Sequence, residues 1–231
     1  MQVHVTDHVA GAVEARGVTV VIDVFRASSL QCYAFSRGVA RVIPIAEVEQ
    51  ARALKAQHPD WLLFGERFAR KLPGFDVGNS PSETAAMALS GRTIIQTTHA
   101  GTQGLTGARN AEVVLSAALV NAPATARYIQ KLAPQAVTLV RMGSEARMRT
   151  EEDDVCAEWL EALLRGSPYD TAGVEARLRA APSAQKFFDP EATWAPEDDF
   201  AHCLALGRFE FALELQGRDG ALPWLEERTV A

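Results

Sequence analysis

A carboxylate and a guanidinium stand three residues apart in the segment DVFRASS, residues 23–29. Asp23 can hold a divalent cation, and Arg26 can grip a phosphate or a carboxylate through two parallel hydrogen bonds. The segment follows an apolar run, as expected for a ligand site at the carboxyl end of a buried strand. The alternative is that Asp23 and Ser28 only cap the next helix.

A second group of candidate residues lies in ERFARKLPGFDVGNSPSE, residues 66–83, where hydrophobic periodicity disappears. An aperiodic stretch of this length inside a domain is usually functional or mobile. Glu66 and Asp76 are candidate metal ligands and catalytic carboxylates, and Asn79 and Ser80 are candidate ligands for oxyanions. The alternative is a surface loop in which the Asn and Asp side chains serve only their own turns.

The turn TTHAGT, residues 97–102, separates a predicted strand from a predicted helix. Hydroxyl groups and a glycine at such a turn can surround a phosphate, so Thr98, Gly101 and Thr102 are candidate substrate ligands. The turn lacks the GK[ST] ending of a P-loop and the GxGxxG of a dinucleotide site. His99 is a candidate acid or base, but a lone His in a turn is more often solvated or hydrogen-bonded.

Four carboxylates, Glu151 to Asp154, begin a predicted helix. Because the helix dipole favours negative charge there, capping by Thr150 with Asp153 is one explanation. Carboxylates clustered near three other strand-end loops also suit Mg²⁺, which prefers hard oxygen ligands and retains several waters. Asp153 is therefore a fourth candidate metal ligand, with Asp23, Glu66 and Asp76.

The elements that must position these residues alternate along the chain. Apolar runs predict strands over residues 18–24, 40–44, 61–64, 93–97, 113–115 and 136–140. Periodicity of 3.6 predicts helices over residues 28–38, 47–57, 82–89, 101–109, 124–132 and 153–164. This alternation predicts an α/β fold, with helices layered on a mostly parallel or mixed sheet.

Beyond Gly166 the composition changes, and the stretch 177–199 reads as short helices joined by turns. We therefore predict an α/β core over residues 1–165 that carries the active-site loops. Residues 166–231 are predicted to form a helical C-terminal lobe or lid packed on the same core.

Charge and cysteine content exclude several classes of protein. The chain has 23 basic and 29 acidic residues, a net charge of −6, without a Lys/Arg cluster on a predicted element. This argues against a nucleic-acid or anionic-membrane partner. Three cysteines without CxxC spacing favour a reducing compartment, and no apolar run approaches membrane-spanning length. We expect a cytoplasmic protein.

The four candidate segments together resemble the 2-phosphosulfolactate phosphatase family. VVIDVFRASS, GERFARKLPGFDVGNSP, TTHAGT and MGSEARMRTEEDDVCAEWL occur in the family's order and spacing, from Val18 to Leu164. EDDFAHCLALGRFE is similar to its closing segment. The resemblance implies a Mg²⁺-dependent phosphatase that hydrolyses 2-phospho-3-sulfolactate to 3-sulfolactate in the route to coenzyme M. It also implies a layered α/β/α fold and a homodimer.

Two segments depart from the family pattern. Where the family typically reads TTNG, this chain has His99 and Ala100, and Phe25 replaces a smaller aliphatic residue. Because the acids and Arg26 are retained, we expect phosphatase chemistry to tolerate these changes better than substrate preference does. The resemblance therefore implies 2-phosphosulfolactate or a similar small phosphorylated hydroxy acid as substrate.

The mechanism expected from these residues is metal-assisted hydrolysis of a phosphomonoester. Some of Asp23, Glu66, Asp76 and the acids 151–154 would hold Mg²⁺, and Asp76 can serve as general base. Arg67 or Lys71 can meet a carboxylate or sulfonate of the substrate. The competing hypotheses are a non-catalytic phospho-ligand binding protein, which does not need the acids, and a structural or interaction protein.

Overall fold

Ten strands form one sheet in the computed structural model, which describes residues 1–220 and 222–230. In chain order the strands are β1 (Gln2–Asp7), β2 (Val18–Ile22), β3 (Arg41–Pro44), β4 (Leu62–Arg67), β5 (Arg70–Lys71), β6 (Thr93–Thr97), β7 (Val113–Ala117), β8 (Ala136–Arg141), β9 (Phe211–Gln216) and β10 (Trp224–Thr229).

Helices pack on this sheet and give the layered α/β/α arrangement that the alternating pattern predicts. They are α1 (His8–Glu14), α2 (Ala27–Ser36), α3 (Val48–Gln57), α4 (Pro81–Ala85), α5 (Gly101–Gly107), α6 (Ala122–Leu132), α7 (Glu151–Arg165), α8 (Val174–Arg179), a 3₁₀ helix (Pro182–Phe187) and α9 (Glu197–Cys203). Within the described residues, no helix combines the length and apolar character needed to cross a membrane.

The sheet consists of two parallel halves joined by an antiparallel hairpin. Its order is β1-β8-β2-β7-β9-β10-β3-β6-β4-β5. β1, β8, β2 and β7 run parallel, as do β3, β6 and β4. β9 is antiparallel to β7, β10 to β9, and β3 to β10. Three reversals in succession make the two halves run in opposite directions.

Sheet twist changes the relative direction of the strands in the two halves. Neighbouring strands rotate by about 20–25°, so the six steps from β2 to β4 accumulate about 120–150°. This rotation offsets most of the reversal. The carboxyl ends of β2 and β8 therefore point in a direction closer to that of β4 and β6 than the strand pairing alone would give.

Two hydrophobic clusters stabilise the sheet. The larger one surrounds β2, whose five residues VTVVI are all buried, as expected for a central parallel strand covered on both faces. The smaller cluster lies under α3 and includes Ile43, Leu63, Phe75 and Ile95. Together they fix the strands from which the candidate loops leave.

All six predicted strands and all six predicted helices are present, with ends that shift by a few residues. The sequence analysis missed β1, α1, β5, β9 and β10. β1 lies at a sheet edge with partly exposed side chains, and β10 has two apolar residues followed by four polar ones. Neither strand has the continuous apolar run that identified β2.

The C-terminal portion is helical only in part. Residues 174–203 form α8, the 3₁₀ helix and α9, as the pattern of short helices predicts. The residues that follow then enter the sheet as β9 and β10, between β7 and β3. This part of the chain therefore completes the sheet as well as packing on it.

Gly65 tests how tightly β4 is packed beside β6. A Cβ at this position would lie 2.6 Å from a ring carbon of Phe75 and 2.7 Å from the carbonyl oxygen of Thr97. We expect Gly65→Ala to lower the free energy of unfolding by about 1–3 kcal/mol through overpacking. Urea unfolding measures the change.

Gly107→Ala is the matched control for Gly65→Ala. The nearest atoms to a Cβ at Gly107 are 3.8 Å away, so this substitution should leave stability within about 1 kcal/mol. Equal effects of the two substitutions would contradict the packing argument.

Candidate active site

A cavity of about 280 Å³ lies where the carboxyl ends of four strands meet. Asp23 follows β2, Glu66 is near the end of β4, His99 follows β6 and Gly143 follows β8, and all four residues line the cavity. The 3₁₀ helix contributes Lys186 to the remaining wall. Both halves of the sheet and the C-terminal portion therefore build this site.

Backbone N–H groups hold the two carboxylates that reach the cavity from the ends of β2 and β4. Asp23 accepts hydrogen bonds from the N–H groups of Ala27, at 3.2 Å, and Gly101. Glu66 accepts from Ala69 at 2.8 Å and from His99 at 2.7 Å. These bonds fix both carboxylates and leave further lone pairs for a ligand.

Asp153 joins the ends of two neighbouring strands. Its Oδ1 accepts from the N–H of Val24 at 2.9 Å, and its Oδ2 accepts from the N–H of Gly143 at 2.7 Å. Asp153 thus lies in the first turn of α7 without serving that turn, and the Thr150 side chain makes no capping bond. The structure therefore contradicts the alternative in which Asp153 only caps α7.

Burial and mutual repulsion disfavour ionisation of these carboxyl groups. Burial raises the pKa of Asp23 to about 6, against its hydrogen bond from Ala27, and the charge of Glu66 adds to the increase. Burial also raises the pKa of Asp153 well above its usual value, and the charges of Glu152 and Asp23 contribute. A cation in the cavity would relieve this repulsion.

Arg26 is held by the C-terminal portion. Its Nη1 donates to Asp199 Oδ2 at 2.6 Å and to the carbonyl oxygen of Trp194 at 3.0 Å, and its Nη2 donates to that of Ala69 at 2.9 Å. The side chains of Arg26 and Asp199 are 2% and 0% exposed. Ser80 and Ser82 donate to Asp199 Oδ1, so this carboxylate is fully bonded.

Three residues that line the cavity carry a buried polar atom without a hydrogen-bond partner among the described residues. These atoms are Asn79 Oδ1, His99 Nδ1 and Thr150 Oγ1. The His99 ring also meets Phe68 edge to face, with centroids 4.9 Å apart. Buried polar atoms are normally bonded, so these three are suited to a ligand or to water held in the cavity.

Asp76 does not reach the cavity, which corrects its prediction as a metal ligand and catalytic base. Its Oδ2 accepts from the N–H of Leu63 at 2.7 Å and lies 3.5 Å from Lys55 Nζ, with the side chain 41% exposed. Phe75 and Val77 are both buried. Because they anchor the chain on either side, the carboxylate between them is directed outward, beside α3.

The predicted substrate ligands of the TTHAGT turn lie behind the cavity wall. Thr98 and Thr102 bond each other's N–H groups, with hydroxyl-to-nitrogen distances of 2.9 and 3.1 Å. Gly101 has a different role, because a Cβ there would lie 2.8 Å from Asp23 Oδ2. These three residues position His99 and Asp23 and do not line the cavity themselves.

Three further predicted ligands are engaged elsewhere. Ser80 caps α4, donates to Asp199 and lines a neighbouring cavity of about 470 Å³, which Lys71 also lines. Arg67 donates to the carbonyl oxygens of Glu66 and Ala46 and to Thr97 Oγ1. Asn79 lines both cavities and connects them.

The sequence analysis did not assign roles to Asp199, Ser183 and Lys186. Ser183 donates to Glu152 Oε2 and ties the 3₁₀ helix to α7. The closing segment EDDFAHCLALGRFE includes Asp199, but its similarity to the family gave no role. Lys186 stands alone among apolar neighbours, and nothing in the local pattern connects it to a strand-end loop.

The Arg26–Asp199 ion pair provides a stability prediction. Asp199→Asn removes the charge that compensates a buried guanidinium, so we expect a loss of about 3–5 kcal/mol in unfolding free energy. Chemical denaturation of both proteins measures this loss.

Asp198→Asn is the neighbouring control. Because Asp198 is exposed, its substitution should change stability by less than about 0.5 kcal/mol. A similar small change in Asp199→Asn would show that Arg26 does not depend on this carboxylate.

Comparison with known proteins agrees with this arrangement. The family model described as 2-phosphosulpholactate phosphatase matches residues 3–216. A probable 2-phosphosulfolactate phosphatase of Bacillus subtilis is 29% identical over 211 residues, 90% of this chain and 91% of its own. Proteins with the same name from a Synechococcus species and Gloeobacter violaceus are 34% and 38% identical, over 80% and 69% of this chain and 79% and 68% of their own. This chain therefore belongs to the 2-phosphosulpholactate phosphatase family, whose named reaction is the hydrolysis of a phosphoric monoester.

Proposed function

We propose that this protein is a Mg²⁺-dependent phosphatase acting on 2-phosphosulfolactate or a similar small phosphorylated hydroxy acid. The products are 3-sulfolactate, or the corresponding hydroxy acid, and inorganic phosphate. The observation that carries the proposal is one cavity that unites three anchored carboxylates, a buried Arg and three unpartnered polar atoms. Its volume of about 280 Å³ suits a small substrate.

The chemistry of the cavity fits Mg²⁺. Asp23, Glu66 and Asp153 offer hard oxygen donors whose carboxylates repel one another without a cation. No set of three or more His, Cys, Asp or Glu side chains within residues 1–220 and 222–230 forms a ready metal cage. Mg²⁺ usually needs no such cage, because it is held by one or two carboxylates, several waters and substrate phosphate oxygens.

We assign the metal to one or two of the carboxylates Asp23, Glu66 and Asp153, and exclude Asp76 from the set. When bound, Mg²⁺ would neutralise charge on the phosphoryl oxygens and lower the pKa of a bound water. The backbone bonds to the three carboxylates hold them in place before substrate arrives. This preorganisation lowers the cost of reorganising the site during the reaction.

Arg26 would bind the phosphoryl group. A guanidinium has five N–H donors, and the three bonds to Asp199, Trp194 and Ala69 leave two for a ligand. The ion pair with Asp199 keeps the guanidinium from turning away. Asn79 and His99 would meet the remaining polar groups of the substrate through their unpartnered atoms.

The proposed reaction is the hydrolysis of a phosphate ester. Water adds to phosphorus, the P–O bond to the substrate carbon chain breaks, and the leaving oxygen takes a proton. The mostly apolar wall formed by Phe25, Pro182 and Ala100 restricts solvent on one side of the cavity. Restricting solvent strengthens the electrostatic interactions inside the site.

The setting of the reaction is also part of the proposal. The three cysteines are free and buried, which agrees with a reducing cytoplasm. A role in the route to coenzyme M follows only if the substrate carries a sulfonate. The homodimer remains a prediction, which sedimentation velocity would check.

The alternative is a protein that binds a phosphorylated ligand without hydrolysing it. The carboxylates argue against it, because three acids facing a phosphate weaken binding unless a cation is present. Turnover distinguishes the two functions directly.

Phosphate release is the primary test of the proposed function. With 2-phosphosulfolactate or 2-phospholactate as substrate, we expect phosphate release that stops with EDTA and returns with excess Mg²⁺. The metal would supply charge neutralisation that no side chain replaces. Full turnover in EDTA would refute the metal requirement, and binding without phosphate release would favour the alternative function.

Arg26→Lys tests the phosphate ligand. An ammonium cannot reproduce two parallel hydrogen bonds, so we expect kcat/KM to fall about 10- to 150-fold, corresponding to one lost charge-assisted bond. Steady-state kinetics on the same substrate measures the change, and thermal unfolding verifies that the variant is folded.

Arg109→Lys serves as the control, because Arg109 is exposed and does not line this cavity. It should retain the parent kinetics. A folded Arg26→Lys variant that also retains them would remove Arg26 from the phosphate site.

A further inference from the structure

Lys186 is a cation without a partner on the wall of the cavity. Of the described residues that line this cavity, two are Lys or Arg, namely Arg26 and Lys186. Arg26 is neutralised by Asp199, with their atoms 2.6 Å apart. Lys186 forms no ion pair and no side-chain hydrogen bond within the described residues.

Aromatic packing holds Lys186 in place. Its Nζ lies 5.1 Å from the ring centroid of Phe187 and 5.9 Å from that of Phe25. These two rings meet edge to face, with centroids 5.1 Å apart. The ammonium is therefore packed against two aromatic rings on the cavity wall.

The surroundings of Lys186 disfavour its charge unless an anion is present. Burial lowers the pKa of the ammonium, and the charge of Arg26 adds to this effect, although Glu152 and Asp23 act in the opposite direction. Removing a charge from water without a partner is costly, so a ligand anion at this wall would be stabilising.

The Lys186 ammonium is available for a second anion of the substrate, because the other charged groups of the site are already engaged. Mg²⁺ would offset two of the three negative charges of Asp23, Glu66 and Asp153, and the phosphoryl group would bind to the metal and to Arg26. A carboxylate or sulfonate of the substrate then needs a cation that is not already paired. Arg67 is bonded to protein acceptors and Lys71 lies at the neighbouring cavity, so neither supplies it.

We propose that Lys186 selects substrates that carry a second anionic group, a carboxylate or a sulfonate, beside the phosphoryl ester. The contact would be an ion pair between its ammonium and that group. This inference rests on the proposed phosphatase function and identifies the chemical group of the substrate that the site recognises. Lys186 is thus a specificity-determining residue located outside the strand-end loops.

Three phosphate esters distinguish recognition of a carboxylate, recognition of a sulfonate and recognition of neither group. 2-Phospholactate carries a carboxylate, the matching 2-phosphooxypropane-1-sulfonate carries a sulfonate, and isopropyl phosphate carries neither. For Lys186→Met we expect kcat/KM to fall about 10- to 150-fold on one or both anionic substrates. The factor by which kcat/KM falls on isopropyl phosphate should be at least ten times smaller. The anionic substrate with the larger loss identifies the group that Lys186 binds.

Two further variants complete the experiment. Lys186→Arg should restore part of the preference, because it keeps the positive charge. Lys131→Met, at the exposed end of α6, should retain the parent kinetics on all three esters. Thermal unfolding of each variant verifies the fold.

Equal losses on all three esters would overturn the proposal, because Lys186 would then act on the phosphoryl group. Unchanged kinetics would overturn it as well. If the parent protein hydrolyses neither these esters nor 2-phosphosulfolactate, the proposed function fails separately. Calorimetric titration of the same esters into parent and Lys186→Met would then decide whether the Lys186 contact exists: weaker binding of only the anionic esters supports it, and equal binding refutes it.

Discussion

The buried ion pair between Arg26 and Asp199 connects the parts of the chain that form the site. It joins the turn after β2 to α9, and the Ser80 and Ser82 hydroxyls bring the start of α4 to the same carboxylate. A buried guanidinium persists only where its charge is compensated and its donors are bonded. The position of the C-terminal portion is therefore part of how Arg26 is held, and the cavity wall that this portion supplies follows from that connection.

The cavity is built from groups that are fixed before any ligand binds. Asp23 accepts a backbone N–H bond from the first turn of α2, and Glu66 and Asp153 accept theirs from other loops. Each carboxylate thus forms a structural link while it lines the cavity. Choosing between helix capping and catalysis from the sequence is difficult for this reason, since Asp23 does bond the first turn of α2 while facing the cavity.

The sequence predicted the strands and helices around the site well, because the central strands are apolar throughout and the helices are amphipathic. It also identified Asp23, Arg26, Glu66, Asn79 and Asp153, which line the cavity, since each adjoins a strand end or the aperiodic loop. Asp76 shared those features, but buried neighbours on both sides turn it outward. Lys186 and Asp199 reach the site through tertiary packing of short helices, which local patterns do not encode.

The hairpin β9–β10 has a consequence for the order in which the molecule is made. These strands come last in the described chain, yet they occupy the middle of the sheet, and β10 meets β3 at one residue pair, Leu225 with Val42. While the chain is still emerging from the ribosome, β7 and β3 each present an unpaired edge. Open edges invite pairing with other chains, so a nascent or truncated form is exposed to aggregation until the hairpin arrives.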